Sequence, residues 1–280
     1  MGIIITIAMI TGFFCYYQNN KISITNLKVK SNVNKNMRIA QISDLHSKEF
    51  GRDNNTLYKV IMDQKPDIIV ATGDLIDSNM KRINEIIEFC SRLNKKIPVY
   101  YILGNNEMRC SRVKEIVEKL KEKNINVLEN EISKIKIKGN IINILGLAEK
   151  RVDKGEMFYS KVNSRYKVEN VEVLFKRLEK LEGIKIVLSH YPENFESVGN
   201  YSYNKYNFDI MFSGHAHGGQ FILPRLGGVF APGQGLFPKY YKGIYGGKNK
   251  LVVSRGLGNS GFPLRLFNRP DLVIVDLVNN

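Results

Sequence analysis

The chain has 280 residues, 43% of them hydrophobic, with three cysteines and four histidines. That length and apolar share suffice for one large domain with a sizeable core, and the odd, sparse cysteines argue against a disulfide framework. A net charge of +15 invites a nucleic-acid partner, but the lysines are dispersed over helix faces and no run interleaves them with aromatics, so nucleic acid is disfavoured.

From Gly2 to Tyr17 the chain is uncharged and rich in Ile, Met, Phe and Tyr. The stretch is slightly short of the ~20 residues of a spanning helix. A cleaved signal peptide needs a basic start and an Ala-x-Ala-like site, and neither is present. The expectation is therefore a transmembrane anchor over residues 1–20. Lys21, Lys28, Lys30, Lys35 and Arg38 follow with no acid before Asp44. Residues 21–36 accordingly read as a basic juxtamembrane segment drawn to anionic lipid. The positive-inside rule then favours a cell-membrane protein whose domain, residues 37–280, faces the cytoplasm. The other flank carries no charge to compare, so the side stays open.

Strands are predicted at Ile22–Val29 and Met37–Ser43, after which strands and helices alternate. Leu57, Val60 and Ile61 mark one amphipathic helix. Ile83, Ile86, Ile87 and Cys90 mark a second, and Val113, Ile116, Val117 and Leu120 a third, all at i, i+3, i+4 spacing. Between them lie the short apolar runs Ile68–Ala71 and Ile97–Leu103, a strand–helix alternation that implies a parallel sheet covered by helices. Ile132–Ile137 and Ile141–Leu147 form a hairpin turning at Gly139-Asn140. A helix around Val171, Leu174, Phe175 and Leu178 leads into Ile184–Ser189. The last third is richer in Gly, Pro and Tyr, with strands at Asp209–Phe212, Leu251–Ser254 and Leu272–Leu277. Two packed sheets with helices outside account for this pattern, and no internal repeat is evident.

Each histidine sits at or just beyond the end of an apolar run: His46 in Ser43-Asp44-Leu45-His46, His190 after Ile184–Leu188, and His215 and His217 around Ala216. Gly73-Asp74 and Gly104-Asn105 close two further runs. In open α/β sheets ligands gather outside the carboxyl ends of strands, so Asp44, Asp74, Asn105, His190 and His215 converge on one site. In extended backbone, residues i and i+2 share a side. Asp44 with His46, and His215 with His217, can then reach ions together, within one site or across two. Carboxylate, imidazole and amide donors suit borderline first-row divalent ions such as Mn, Fe, Zn or Co. Two such ions, roughly 3.5–4 Å apart, need a bridging carboxylate and clamp a phosphate.

The ordered set from Gln41 to His217 resembles the calcineurin-like metallophosphoesterase superfamily, whose pattern is Asp-x-His, Gly-Asp, Gly-Asn-His-Asp/Glu, His and Gly-His-x-His. The resemblance implies an α/β fold, a four-layer α/β/β/α sandwich of two mixed sheets. It also implies Asp44, His46 and His217 on one metal, Asn105, His190 and His215 on the other, and Asp74 bridging. Asp77 is either a supporting acceptor for a ligand or a surface aspartate. Downstream, Gly218-Gly219-Gln220, Pro224, Tyr241-Lys242-Gly243 and Ser254-Arg255-Gly256-Leu257-Gly258 resemble the membrane-associated bacterial branch similar to UDP-2,3-diacylglucosamine pyrophosphatase. Arg255 and Arg265 match phosphate geometry as clamps, with structural arginines as the alternative.

The pattern's histidine after the ligand asparagine is replaced by Asn106. Asparagine can donate a hydrogen bond to a phosphoryl oxygen but no proton. Alkoxide leaving groups suffer most from that loss, by ~10²–10⁴-fold for a general acid. The reading is a membrane-anchored dinuclear phosphohydrolase using metal-activated hydroxide, with Asn105 and Asn106 stabilising charge. Its expected partners are a phosphodiester or pyrophosphate substrate, lipid- or nucleotide-linked, and a membrane surface. The rivals are a nuclease on the same metals and a metal-stabilised scaffold disarmed at Asn106.

Overall fold

The computed structural model describes residues 2–79, 81–148, 152, 153, 156, 157, 171–196, 202–259 and 261–279. An uncharged helix, α1 (Gly2–Asn20), is followed directly by β1 (Ser23–Lys30). β2 (Met37–Ile42), β3 (Ile68–Thr72), β4 (Val99–Ile102) and β5 (Asn126–Val127) then alternate with α2 (Asn55–Asp63), α3 (Ile83–Asn94), α4 (Asn105–Arg109) and α5 (Val113–Glu122). The second half contributes β6 (Glu131–Ile137), β7 (Asn140–Gly146), α6 (Val171–Glu179), β8 (Ile184–Leu188), β9 (Ile210–Ser213), β10 (Gly243–Tyr245), β11 (Lys250–Val253) and β12 (Asp271–Val278).

Two six-stranded mixed sheets result, in the orders β1-β12-β2-β3-β4-β5 and β10-β11-β9-β8-β7-β6. Each has a parallel centre: β2, β3, β4 and β5 run parallel in one, and β7, β8, β9 and β11 in the other. The central strands are continuous apolar runs because both faces are covered. Ile39, Ile68, Val70 and Ile102 of one sheet meet Ile142, Ile186, Leu188 and Phe212 of the other. Ile42, Ile69 and Ala71 face the other way, onto Leu57, Ile86, Cys90 and Ile116 of the helices. Leu174, Phe175 and Leu178 of α6 cover Leu145, Val187 and Met211 on the far side. Four layers, helices outside and two sheets within, follow from these three apolar interfaces.

The periodic helices fall where their stripes place them, and the strands shift by a residue or two. The hairpin turns at Lys138-Gly139, one residue earlier than expected, with Ile137 opposite Asn140. Within the basic segment 21–36, the strand expected at Ile22–Val29 forms one residue later. Ser23–Lys30 pairs in parallel with β12 along its length, with Ser23 opposite Asp271 and Lys30 opposite Val278. Its alternating pattern turns Leu27 and Val29 onto the inter-sheet core while Lys28 and Lys30 stay in water.

α1 is long and apolar enough to cross a membrane, and no residue of its apolar stretch is buried in the rest of the chain. Its carboxyl end is docked on the domain. The Asn19 side-chain oxygen accepts from the Arg265 backbone at 3.1 Å and from Asn259 Nδ2 at 3.2 Å. Lys48 Nζ donates to the Asn19 carbonyl, and Arg269 donates to the Tyr17 hydroxyl at 3.0 Å.

Candidate metal centre

The parallel strands of both sheets deliver their carboxyl ends to one edge of the sandwich. There the loop after β2 carries Asp44 and His46. The loop after β3 carries Asp74, and α4, just beyond β4, carries Asn105. His190 follows β8, and His215 and His217 follow β9.

The local backbone differs from the extended form expected at the paired motifs. Asp44 and His46 have φ of 50° and 49°, and His215 and His217 have 65° and 48°. These are left-handed conformations, uncommon outside glycine. The i, i+2 pleat therefore does not aim these side chains. Hydrogen bonds to the neighbouring loop do: Asp44 N–H donates to Gly73 O at 2.9 Å, and His46 N–H to Asp74 O at 3.0 Å. Strain of this kind persists only where the surroundings over-determine it.

Two clusters form. In the first, His46 Nε2 and His217 Nε2 stand 3.1 Å apart, and Asp44 Oδ1 lies 3.6 Å from His217 Nε2. In the second, His190 Nε2 is 3.2 Å from His215 Nδ1, 3.2 Å from Asn105 Oδ1 and 3.5 Å from Asp74 Oδ2. Asp74 Oδ2 also lies 3.9 Å from His46 Nε2, so this one carboxylate touches both clusters. His215 and His217 thus point into different clusters. Each cluster offers at least three ligand atoms within 4.8 Å of one another.

Such convergence of buried nitrogens and carboxylate oxygens fits a cation and little else. His190 Nδ1 lies 2.8 Å from the Thr72 carbonyl. A carbonyl only accepts, so Nδ1 carries the proton and Nε2 presents its lone pair to the cluster, the arrangement that orients metal-binding histidines. Burial, with the positive charge of Arg265 nearby, holds His217 well below the usual imidazole range, leaving it neutral. Asp74 is held below the usual carboxyl range, burial working against ionisation and the hydrogen bond it accepts from the Asn106 N–H working for it.

Glu107 is the residue that sequence reasoning passed over. It is fully buried beneath the site. Its carboxylate accepts from the backbone N–H groups of Asp74 (2.8 Å), Ile76 (3.0 Å) and Gly104 (2.9 Å), and from the Tyr101 hydroxyl (2.7 Å). The same bond to Gly104 caps the start of α4. A Cβ added at Gly104 would lie 2.1 Å from Asp74 Oδ1, so the two loops meet backbone to backbone and need glycine there. The signal was present in Gly104-Asn105-Asn106-Glu107, where the family pattern also has an acid.

The cavity above the clusters holds about 440 Å³ and is lined by His46, Asp74, Asn105, Asn106, Arg109 and Tyr191, among others. Asn106 bonds to Asp74 twice, through its backbone N–H to Oδ1 at 2.7 Å and its side-chain amide to Oδ2 at 2.6 Å. Asp77 lines the mouth, but its carboxylate is taken up by Ser78 and Asn79 of its own turn. Thr72, not Asp77, supports a histidine.

Neither arginine singled out from the sequence lines this cavity, which corrects their reading as clamps. Arg255 pairs with Asp271 at 2.9 Å and donates to Ser23. Arg265 is fully buried, donating to the carbonyls of Gly258, Arg255 and Asn268, with Nη2 at 3.4 Å from His217 Nδ1. The guanidinium exposed at the mouth belongs to Arg109. A larger cavity of about 540 Å³ opens between Ser31, Asn34, Asn140 and Asp209, at the opposite end of the strands. Among the described residues, neither cluster of metal-ligating side chains lies there.

The calcineurin-like phosphoesterase family model matches residues 37–219. The chain belongs to this family. A metallophosphoesterase of Aquifex aeolicus is 29% identical over 248 residues, covering 86% of this chain and 85% of that protein. One from Campylobacter jejuni is 30% identical, covering 96% of this chain and 68% of that protein. The phosphodiesterase YaeI of Escherichia coli is 27% identical, covering 78% and 72%. Among solved structures, TT1561 of Thermus thermophilus shares the fold, with a TM-score of 0.53, 16% identity and coverage of 79% of this chain and 90% of that one. This calcineurin-like phosphoesterase is accordingly a metal-dependent hydrolase, and the family's two divalent ions correspond to the two clusters.

Proposed function

We propose that this phosphoesterase is held at a membrane by α1 and cleaves a phosphodiester or phosphoanhydride in a lipid- or nucleotide-linked substrate. The observation that carries the hydrolytic reading is Asp74, one buried carboxylate within reach of both clusters at the floor of a single cavity. Asp44, His46 and His217 would hold one ion, and Asn105, His190 and His215 the other, with Asp74 shared. When bound, the two ions supply Lewis acidity, lowering the pKa of water and neutralising phosphate oxygens.

The chain's own groups do the rest. His190 is locked in the lone-pair-inward tautomer by Thr72, and Asp44 is fixed by the His215 N–H, which donates to both its oxygens at 3.0 and 3.1 Å. Arg109 meets the incoming phosphate at the mouth, where a guanidinium pairs bidentately with phosphoryl oxygens. Asn106 offers an amide N–H to the same oxygens but no proton, which favours leaving groups that are already acidic. That preference supports a pyrophosphate substrate like that of the UDP-2,3-diacylglucosamine pyrophosphatase branch.

The test is metal analysis of the purified chain, paired with turnover of an activated phosphodiester with and without chelator. Two equivalents of divalent metal, and activity lost to chelator and restored by Mn²⁺, are expected. Fewer than two equivalents with chelator-insensitive turnover would overturn the reading.

A further inference from the structure

Residues between His217 and β12 expose an unusual amount of apolar surface. Leu226, Leu236 and Phe237 are 63%, 69% and 58% exposed, and Phe230, Phe262 and Phe267 are similarly bare. They sit on two short hairpins, Ile222–Leu223 with Gly227–Gly228 and Phe230–Ala231 with Gly235–Leu236, and on the loop entering β12. Contiguous exposed apolar surface of this kind marks a contact with a partner or a membrane.

These loops are tied to one another and to α1. Phe221 bridges to Leu266 and packs on Phe262 at 5.5 Å between ring centroids, and Gln220 donates to the carbonyls of Phe262 and Leu264. Phe237 N–H donates to Val229 O, which joins the second hairpin to the first. Phe267 in turn packs on Phe14 of α1 at 5.7 Å. Register explains why they share an edge. β1 starts opposite Asp271, and Leu257 N–H bonds to Ser43 O, so α1 leaves from the end of the sandwich that carries the metal cavity.

We infer that this apolar rim seats in a lipid bilayer beside α1, so that the metal cavity opens at the membrane interface. The inference rests on reading α1 as a membrane anchor. Lipid is the favoured occupant, because the rim continues the exposed surface of a helix apolar enough to span a bilayer. Depth agrees as well. Tyr16 and Tyr17 close the apolar stretch where aromatic residues mark the interface, and Phe14 lies about one turn further in. Its partner Phe267 therefore enters at the level of the first acyl carbons. Arg225 stands at the tip of the first hairpin, between Leu223 and Leu226, where it can meet anionic headgroups. Pro232, Asn259 and Gly261 belong to the same loops and line the metal cavity. An amphiphile could thus present its phosphate to the cavity while its tails remain in the bilayer.

The chain contains no tryptophan, so single-tryptophan reporters are clean. Full-length Phe237→Trp, Phe267→Trp, Phe13→Trp and Lys136→Trp would each be reconstituted in vesicles of equal parts phosphatidylcholine and phosphatidylglycerol, with or without brominated acyl chains. Lys136 lies on β6 near the opposite end of the sandwich. Blue-shifted emission quenched by bromine at 237 and 267, but not at 136, is expected. Water-like, unquenched emission at 237 and 267 beside a quenched reporter at 13 overturns the rim and leaves the anchor standing. Unquenched emission at 13 as well removes the anchor reading on which the rim depends.

Discussion

The Glu107 carboxylate accepts the backbone N–H of Asp74 at 2.8 Å, from directly beneath the residue whose side chain spans both metal clusters. The same oxygen takes the Gly104 N–H at 2.9 Å, so one buried group fixes the loops after β3 and β4 relative to each other. Burial, reinforced by the charge of Asp74, pushes the Glu107 carboxyl up to about 7, against the pull of its four donors. Its place is structural, holding the two loops beneath the metal clusters.

Glu107→Gln tests that role. The side-chain NH₂ must face either the Asp74 and Gly104 N–H groups or that of Ile76, and in each case a buried donor meets a donor. An orphaned buried group costs about 1–3 kcal/mol. A fall in unfolding free energy of about 2–3 kcal/mol is expected, together with weaker metal binding and turnover largely recovered at saturating metal. Unchanged stability with lost turnover would instead make Glu107 a participant in the chemistry.

Arg109 and Arg255 separate cleanly by experiment. Arg109→Ala removes an exposed charge at the cavity mouth, so kcat/KM for a small phosphodiester should fall by roughly 10–100-fold, as for a hydrogen bond to a charged group worth about 1.5–3 kcal/mol. The melting temperature should not change. Arg255→Ala strands Asp271, whose side chain is nearly inaccessible beside Ser23 and Thr25. Loss of about 3 kcal/mol of stability with unchanged KM is expected there. The opposite assignment of effects would restore Arg255 as the clamp.

How far the sequence disclosed this structure depends on the scale of the feature. The apolar stripes at Ile83, Ile86, Ile87 and Cys90, and at Val113, Ile116, Val117 and Leu120, are legible because burial on a helix imposes a period on the chain. The gathering of Asp44, Asp74, Asn105, His190 and His215 is legible because parallel strands deliver their ends to one edge. α4 is not, since five residues are too few to show a period and its start is set by Glu107 from inside the fold. The left-handed backbone at Asp44 and His215 is equally silent, because it comes from contacts between loops distant in sequence. Arg265 shows the largest gap. Nothing local distinguishes a guanidinium that will be buried among carbonyls from one that will greet a phosphate. At residues 21–36 the strand was legible beside the charge, because Leu27 and Val29 alternate with Lys28 and Lys30.

Lys48 provides a pH test of the seam between α1 and the domain. Burial, helped by the charge of Arg265, lowers its pKa from 10.5 to about 8. Below about pH 8 the amine is charged both folded and unfolded, and the folded state bears the full desolvation cost. Between about 8 and 10.5 the folded state gives up its proton first, so the unfolded state binds more protons and stability rises with pH. The gain is on the order of 3 kcal/mol. Lys48→Met should flatten this part of the profile relative to wild type, read by chemical unfolding in detergent. Parallel profiles for the two proteins would place the proton uptake elsewhere.

Asn106 bears on the choice of substrate. Its backbone N–H bond to Asp74 at 2.7 Å is available to almost any residue, whereas the bond at 2.6 Å to Asp74 Oδ2 needs a side-chain donor such as the asparagine amide. A histidine there would exchange that amide for a group able to protonate a leaving oxygen. Alkoxide departure needs such help and phosphate departure does not. Asn106→His should therefore raise turnover of an alkyl phosphodiester by about 10²-fold, the low end for a general acid, and change turnover of a nucleotide-sugar pyrophosphate by only a few-fold. The gain should also show a falling limb with pH as the imidazolium is lost, a feature the wild type lacks. Equal improvement on both substrates, with no new limb, would mean that Asn106 acts through the geometry of Asp74 and not through the missing proton.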